Sequence, residues 1–214
     1  MKPILYNNWK SGCSFRVRIA LALKGIDYEY RSVNLAAKEQ KSPEYLKINP
    51  QGLVPVLCVG NTKISESLAI MEYLEEKYPE KRRLLPQNPE CRAKVRSLTL
   101  LVAANIQPLQ NMKVREFYAK GDPEKLKEWA IYWVENGFNA LEKELKMCSG
   151  NYAFGDNPTI LDTVIPPQVF NAQEKFGMDM SKYPVIKTLN ERLNQLEAVK
   201  KAHPNVQPDA PKNK

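Results

Sequence analysis

The 214 residues are 43% hydrophobic and 26% charged, a soluble globular balance, and suffice for one large core or two small ones. The formal charge is +8, but Lys and Arg are scattered among Glu, without a basic tract, P-loop, zinc-finger or RNA-recognition pattern. Nucleic acid is therefore not an expected partner, and the excess charge favours small anionic ligands instead. No apolar run approaches the roughly 20 residues of a membrane span, and MKPILYNNWK does not read as a secretory signal, so no membrane association and a cytoplasmic location are expected.

In chain order, KPILYN predicts a strand, 14–24 a helix ending before Gly25, and Tyr28–Val33 a second strand. Segment 38–48 is weakly helical and stops at Asn49-Pro50. VPVLCV (54–59) and TKIS, separated by Gly60-Asn61, predict a hairpin, and Ser67–Tyr78 carries helical spacing with Ser67 as its N-cap. The order β-α-β-α-β-β-α gives a small mixed sheet with helices on its faces.

Beyond EKRRLLPQNP the strand signals almost vanish. Segments 89–118, 123–147, 159–176 and 185–201 read as helices, the third opening with Thr159-Ile160-Leu161-Asp162, a relative of the capping box. Pro108 should kink the first of them. The fold class is thus an α/β domain over 1–80 followed by an all-α domain over 88–214, with the last dozen residues as an extended tail.

Cysteines 13, 58, 91 and 148 stand apart with no CxxC, so no metal site is expected, and the only histidine, His203, lies in the polar tail. Chemistry must come from a thiol, a carboxylate or a borrowed cofactor. Ser11 to Ser14 fall at the start of the first helix, where N–H groups, the helix dipole and serine hydroxyls stabilise a thiolate. These residues leave open whether that thiolate belongs to Cys13 or to a bound ligand. Pro55 reads either as an edge-strand residue or as a cis-proline that turns the preceding backbone outward. Glu66-Ser67 at the next helix start could take the ammonium and carboxylate of an α-amino acid.

SGCSFRVRIALALKGIDYEY, NPQGLVPVL, SESLAIMEYLEEKYP, LLPQNP, NIQPLQN, GDNPTILD and HPNVQPDAP together resemble, over essentially the whole chain, the zeta class of glutathione transferases, the family of maleylacetoacetate isomerase. The resemblance implies a thioredoxin-like N-terminal domain, glutathione as cofactor, a homodimer, and cis–trans isomerisation of maleylacetoacetate to fumarylacetoacetate in tyrosine breakdown. Transferase activity on small anionic electrophiles such as α-haloacids is implied as well. By position, Ser11 becomes the hydroxyl serving the glutathione sulfur, with Cys13 beside it and Gly12, Ser14, Phe15 and Arg16 completing the loop and helix start. Gln40 is implied at the glycyl end, Val54 along the cysteinyl backbone, and Glu66 and Ser67 at the γ-glutamyl end. Gln107, Asn111, Met112 and Lys113 close the site, while Arg16 and Lys175 face the substrate. Of Arg16 and Arg18, one is expected to reach that substrate and the other to form an interdomain ion pair.

Four positions depart from the family pattern: Gly12 for a second serine, Phe15 for tryptophan, Lys113 for serine and Lys175 for an arginine. Lysine keeps the charge of arginine but loses its bidentate fork. Two other readings compatible with the residues are a Cys13-dependent thioltransferase or dehydroascorbate reductase, and a non-catalytic glutathione-binding module.

Overall fold

A computed structural model describes residues 2–211. In chain order the elements are β1 (Ile4–Asn7), α1 (Gly12–Lys24), β2 (Glu29–Ser32), α2 (Pro43–Leu46), β3 (Val56–Val59), β4 (Thr62–Ser65) and α3 (Ser67–Lys77). There follow α4 (Pro89–Asn105), α5 (Met112–Ala119), α6 (Pro123–Cys148), α7 (Ile160–Phe176), α8 (Pro184–Asn194) and α9 (Glu197–Ala202). Short 3-10 turns cover Glu39–Lys41, Met180–Lys182 and Pro204–Val206. The chain forms two compact units, one of Met1–Arg83 with the chain from Leu196 onward, the other Leu84–Gln195.

In the first unit the sheet order is β2-β1-β3-β4. β1 runs parallel to β2 and antiparallel to β3, and the hairpin partner β4 closes the edge. Register sets Leu5 opposite both Tyr30 and Leu57, and Leu5, Val56 and Leu57 are fully buried. α1 is buried along Ser14–Leu21 because it is covered on more than one side, packing against α3 and α9. Phe15 and Ile19 meet Val199 and Ala202 of α9 in one apolar cluster, bordered by Leu196. Gly25 ends α1 in the left-handed conformation (φ 62°), where its N–H closes onto Ala22 O and Leu21 O.

That cluster corrects the expected layout at the C-terminus. The sequence reads 185–201 as one helix of the second domain and the tail as extended. The helix instead breaks between Asn194 and Glu197, and the chain from Leu196 onward belongs to the first unit. Helical periodicity cannot report this, because the same apolar spacing serves either core.

The second unit is built around α7, whose residues Ile160–Val169 are buried on all sides. Thr159 caps it as read from sequence: Thr159 Oγ1 accepts from Leu161 N, and Asp162 accepts from Thr159 N at 2.7 Å. Segment 89–118 does not form one kinked helix. It separates into α4 and α5 around a turn, since Pro108 offers no N–H and the Asn111 side chain starts a new helix by accepting from Lys113 N. Two contacts hold this turn. Trp129 Nε1 donates to Leu109 O, and the buried amides of Gln110 and Gln168 exchange hydrogen bonds at 3.2 and 2.9 Å. α6 approaches the start of the turn so closely that a Cβ on Gly137 would collide with Ile106.

Candidate active site

The end of β1 leads through Asn7–Lys10 into α1, and Ser11 is that helix's N-cap. Its hydroxyl oxygen accepts from Ser14 N at 3.2 Å, which leaves the hydroxyl proton free to donate outward. The N–H groups of Gly12 and Cys13 lie in the first turn and have no acceptor within the helix. Ser11, Gly12 and Cys13 are half-buried, so the three form an accessible rim of donors at the positive end of α1. Ser14 is fully buried and its Oγ accepts from Asn8 N, so it belongs to the support of the loop.

Pro55 is joined to Val54 by a cis peptide bond and is buried, with β3 beginning at Val56. The strand pairing starts at Val56, so the peptide groups of Val54 lie outside the ladder. α3 follows β4 by way of Glu66, which occupies the N-cap position at φ 66°, an uncommon conformation for a residue with a Cβ. The expected cap is thereby shifted: Ser67 is the first helical residue, not the N-cap, and no side chain caps α3.

Arg16 is only 2% exposed, and its Nη1 lies 3.4 Å from Ser67 Oγ. The sequence places Arg16 against the substrate, whereas the folded chain places it behind the start of α3. Its Nε is buried without a partner, as is Oε1 of half-buried Gln40, and no other described side chain of this unit has such an atom. Both orphans sit on residues that the resemblance assigns to glutathione. An α-carboxylate at Ser67 and a thiolate at Ser11 would meet the donors these elements leave unused, and the N–H groups of a peptide beside Val54 would meet the acceptor Oε1 of Gln40, so the residues present fit that cofactor.

Arg18, also expected to form an ion pair, is 1% exposed and is held by neutral oxygens. It donates to Ala202 O, Asn7 Oδ1, Asn8 O and Trp9 O at 3.0–3.2 Å. Burial lowers its pKa from the ordinary value. Phe15, implied at the cofactor, is buried in the α9 cluster with its ring against His203. Both side chains are buried for the same reason, since α1 is covered on more than one side along Ser14–Leu21.

The helical unit carries the remaining predicted residues. Gln107 and Asn111 are half-buried on the turn between α4 and α5, whereas Met112 and Lys113 are exposed on the first turn of α5. Lys175 is exposed in the last turn of α7. Sequence reading passed over Arg115, which is buried on α5, donates to Leu126 O at 3.1 Å and lies over the Phe176 ring. Its Nε has no partner, so it is a preset cation close to Lys113 in the chain. Only its position two residues past the quoted NIQPLQN-Met-Lys stretch could have drawn notice to it.

A groove of about 1020 Å³ lies elsewhere on the helical unit, between α4 and α6, lined by residues such as Arg96, Leu100, Asn139 and Lys143. It contains none of the predicted residues and no cysteine. Among the described residues there is no cluster of three His, Cys, Asp or Glu suited to a metal, and no helix is long and apolar enough to cross a membrane.

Comparison with known proteins agrees with this geometry. The glutathione S-transferase N-terminal domain matches residues 1–76. The chain is 47% identical over 212 residues to maleylacetoacetate isomerase of Mus musculus, covering 98% of this chain and 96% of that protein. Among solved structures, a bacterial maleyl pyruvate isomerase, described as a glutathione S-transferase in zeta class, superposes with a TM-score of 0.93 at 39% identity, covering 97% of this chain and 100% of that one. Maleylacetoacetate isomerase from Anaeromyxobacter dehalogenans, with glutathione bound in its active site, gives 0.89 at 39% identity and 98% coverage of both chains. The thioredoxin-like sheet, the helical second unit and these relatives together establish that the chain belongs to the zeta class of the glutathione transferases.

Proposed function

We propose that this chain catalyses the glutathione-dependent cis–trans isomerisation of maleylacetoacetate to fumarylacetoacetate. The observation that carries the reading is the Ser11 hydroxyl, whose oxygen is engaged by Ser14 N and whose proton is free at the start of α1. Glutathione, when bound, supplies the thiolate that attacks the conjugated double bond and is afterwards expelled unchanged.

The residues of the chain do the rest. Ser11 donates its proton to the sulfur, and the first-turn N–H groups of Gly12 and Cys13 add the positive end of the helix, so the thiol ionises at lower pH. Such preset donors are worth about 3 kcal/mol each when aimed at developing charge. Val54 pairs with the peptide backbone of the cofactor, and the unpartnered Oε1 of Gln40, an acceptor, takes the N–H of its glycyl residue. Ser67 and the buried Arg16 take the γ-glutamyl carboxylate, while exposed Glu66 takes the ammonium. Cys13 stands next to the working sulfur as a neighbour. From the helical unit, Gln107, Asn111, Met112 and Lys113 are the residues offered to the cofactor, and Lys175 is offered to a small anionic electrophile. A cytoplasmic homodimer completes the reading.

The test follows loss of maleylacetone by absorbance with glutathione in catalytic amount, and again without it. Turnover far beyond the glutathione supplied supports the isomerase. No turnover, with glutathione binding intact, overturns it and points to redox chemistry at Cys13 or to a binding role.

A further inference from the structure

The tail HPNVQPDAP does not trail into solvent. Gln207 is buried and its side-chain amide donates to Lys201 O and His203 O at 2.8 and 2.9 Å, folding the tail back on the end of α9. Ala210 N then donates to Gln207 O, which presents Asp209 to the other end of the chain. There Asp209 Oδ2 accepts from Trp9 N at 3.0 Å and faces Asn8 Nδ2 at 3.4 Å, while Oδ1 accepts from the Tyr30 hydroxyl.

These partners are the loop that leads into α1. Asn8 O accepts from Ser11 N at 3.2 Å and from Arg18 Nη1 at 3.2 Å, and Asn8 Oδ1 accepts from Lys10 N at 3.0 Å. One carboxylate of the tail therefore stands two hydrogen bonds from the backbone of Ser11. The loop is gripped from both sides, by Arg18 on its carbonyl oxygens and by Asp209 on its N–H groups. Around Asp209 the titratable groups among the described residues are Tyr30, Tyr28 and Arg18.

We propose that Asp209 is a positioning residue for the thiol site: through Trp9 and Asn8 it fixes the loop that aims Ser11, so the C-terminal tail is part of the catalytic apparatus without touching a substrate. Displacing Ser11 by a fraction of an ångström weakens its hydrogen bond to the sulfur more than it weakens cofactor affinity, which is spread over Val54, Ser67 and Gln40. The inference rests on the reading of Ser11 given above.

The experiment titrates the absorbance of thiolate in the glutathione complex, and the pH dependence of kcat and KM, for the full-length wild type, Asp209→Asn and Asp162→Asn. Asp162 lies in the other unit, so its variant reports general loss of stability. The expected result is that Asp209→Asn moves the acidic limb of kcat and the thiol titration about one unit upward, which is about tenfold in kcat on the acidic side, with the KM for glutathione nearly unchanged. Asp162→Asn should leave both where they are in the wild type. Should Asp209→Asn fail to fold, Asp209→Glu, which keeps the charge but displaces it, is read in the same way. An unshifted titration in the Asp209 variant, or an equal shift in Asp162→Asn, overturns the positioning role alone. A wild type that does not acidify bound thiol overturns the Ser11 reading, and this inference with it.

Discussion

The starts of α7 in the helical unit and of α1 and α3 in the N-terminal unit are built from the same groups but treated in opposite ways. In the helical unit α7 is closed: Thr159 and Asp162 occupy its first turn, and Asp162 also accepts from Ala153 N at 2.8 Å. α4 and α6 are similarly capped by Asn88 and Asp122. In the N-terminal unit α3 has no side-chain cap, and behind it sits a buried guanidinium with an unsatisfied Nε. α1 has a cap whose hydroxyl proton is unspent. The capped ends of α4, α6 and α7 hold the fold together, whereas the starts of α1 and α3 are the ends that the proposed function gives to a ligand. Unused donors next to buried charge, more than the presence of a helix end, separate the two.

The sharpest way to break this contrast is at Ser11. Ser11→Ala should lower kcat for isomerisation by about 10²–10³-fold, some 3–4 kcal/mol, because it removes a donor aimed at the sulfur. Its cost in stability, from the lost cap on Ser14 N, should be only about 1 kcal/mol. Comparing kcat with the urea midpoint tells these apart, and Ser11→Thr should restore both.

A closed end makes a different prediction. Burial pushes the Asp162 carboxyl up to about 6, outweighing the donors on its oxygens. A group raised in the folded state contributes stability that is fully present below its ordinary value of 3.8 and lost as pH rises through about 6. Between those limits the wild type should lose up to about 3 kcal/mol from this group. Urea unfolding of wild type and Asp162→Asn at several pH values should show the difference between them changing over that window and flat above it.

Arg16→Leu tests the open end of α3. Glutathione affinity, measured by calorimetry, should fall about tenfold as the cation behind Ser67 disappears. The smallest effect belongs to Thr159→Ala, which removes one of two partners of a cap. It should cost about 1 kcal/mol of stability and leave glutathione affinity untouched.

Local chemistry made the first unit legible. Short runs between turn signals give KPILYN and VPVLCV as strands, and the sequence puts Ser11 to Ser14 at the start of a helix over 14–24, which in the fold begins two residues earlier, at Gly12. The Thr159–Asp162 box was readable for the same reason, since both partners lie within one turn. Ser67 was displaced by one position because the left-handed Glu66 sits in front of it, and nothing in Glu-Ser announces a positive φ. The burial of Arg18 and Phe15 is not legible in the sequence because α1 is covered on several sides, so neither charge nor size marks a free face. Asp209 was invisible for a further reason. Its contacts with Trp9 and Asn8 span about two hundred positions, a pairing that no periodicity encodes.

The measurement that bears most directly on the open-end account is the pKa of glutathione's thiol in the complex, read from thiolate absorbance in wild type and Ser11→Ala. The expected result is a bound thiol well below the ordinary thiol range near 8.5 in the wild type, moving back toward it when the hydroxyl is removed. An equal pKa in the two proteins, with glutathione bound by both, would contradict the role given to Ser11 and with it the reading of this helix end as the catalytic one.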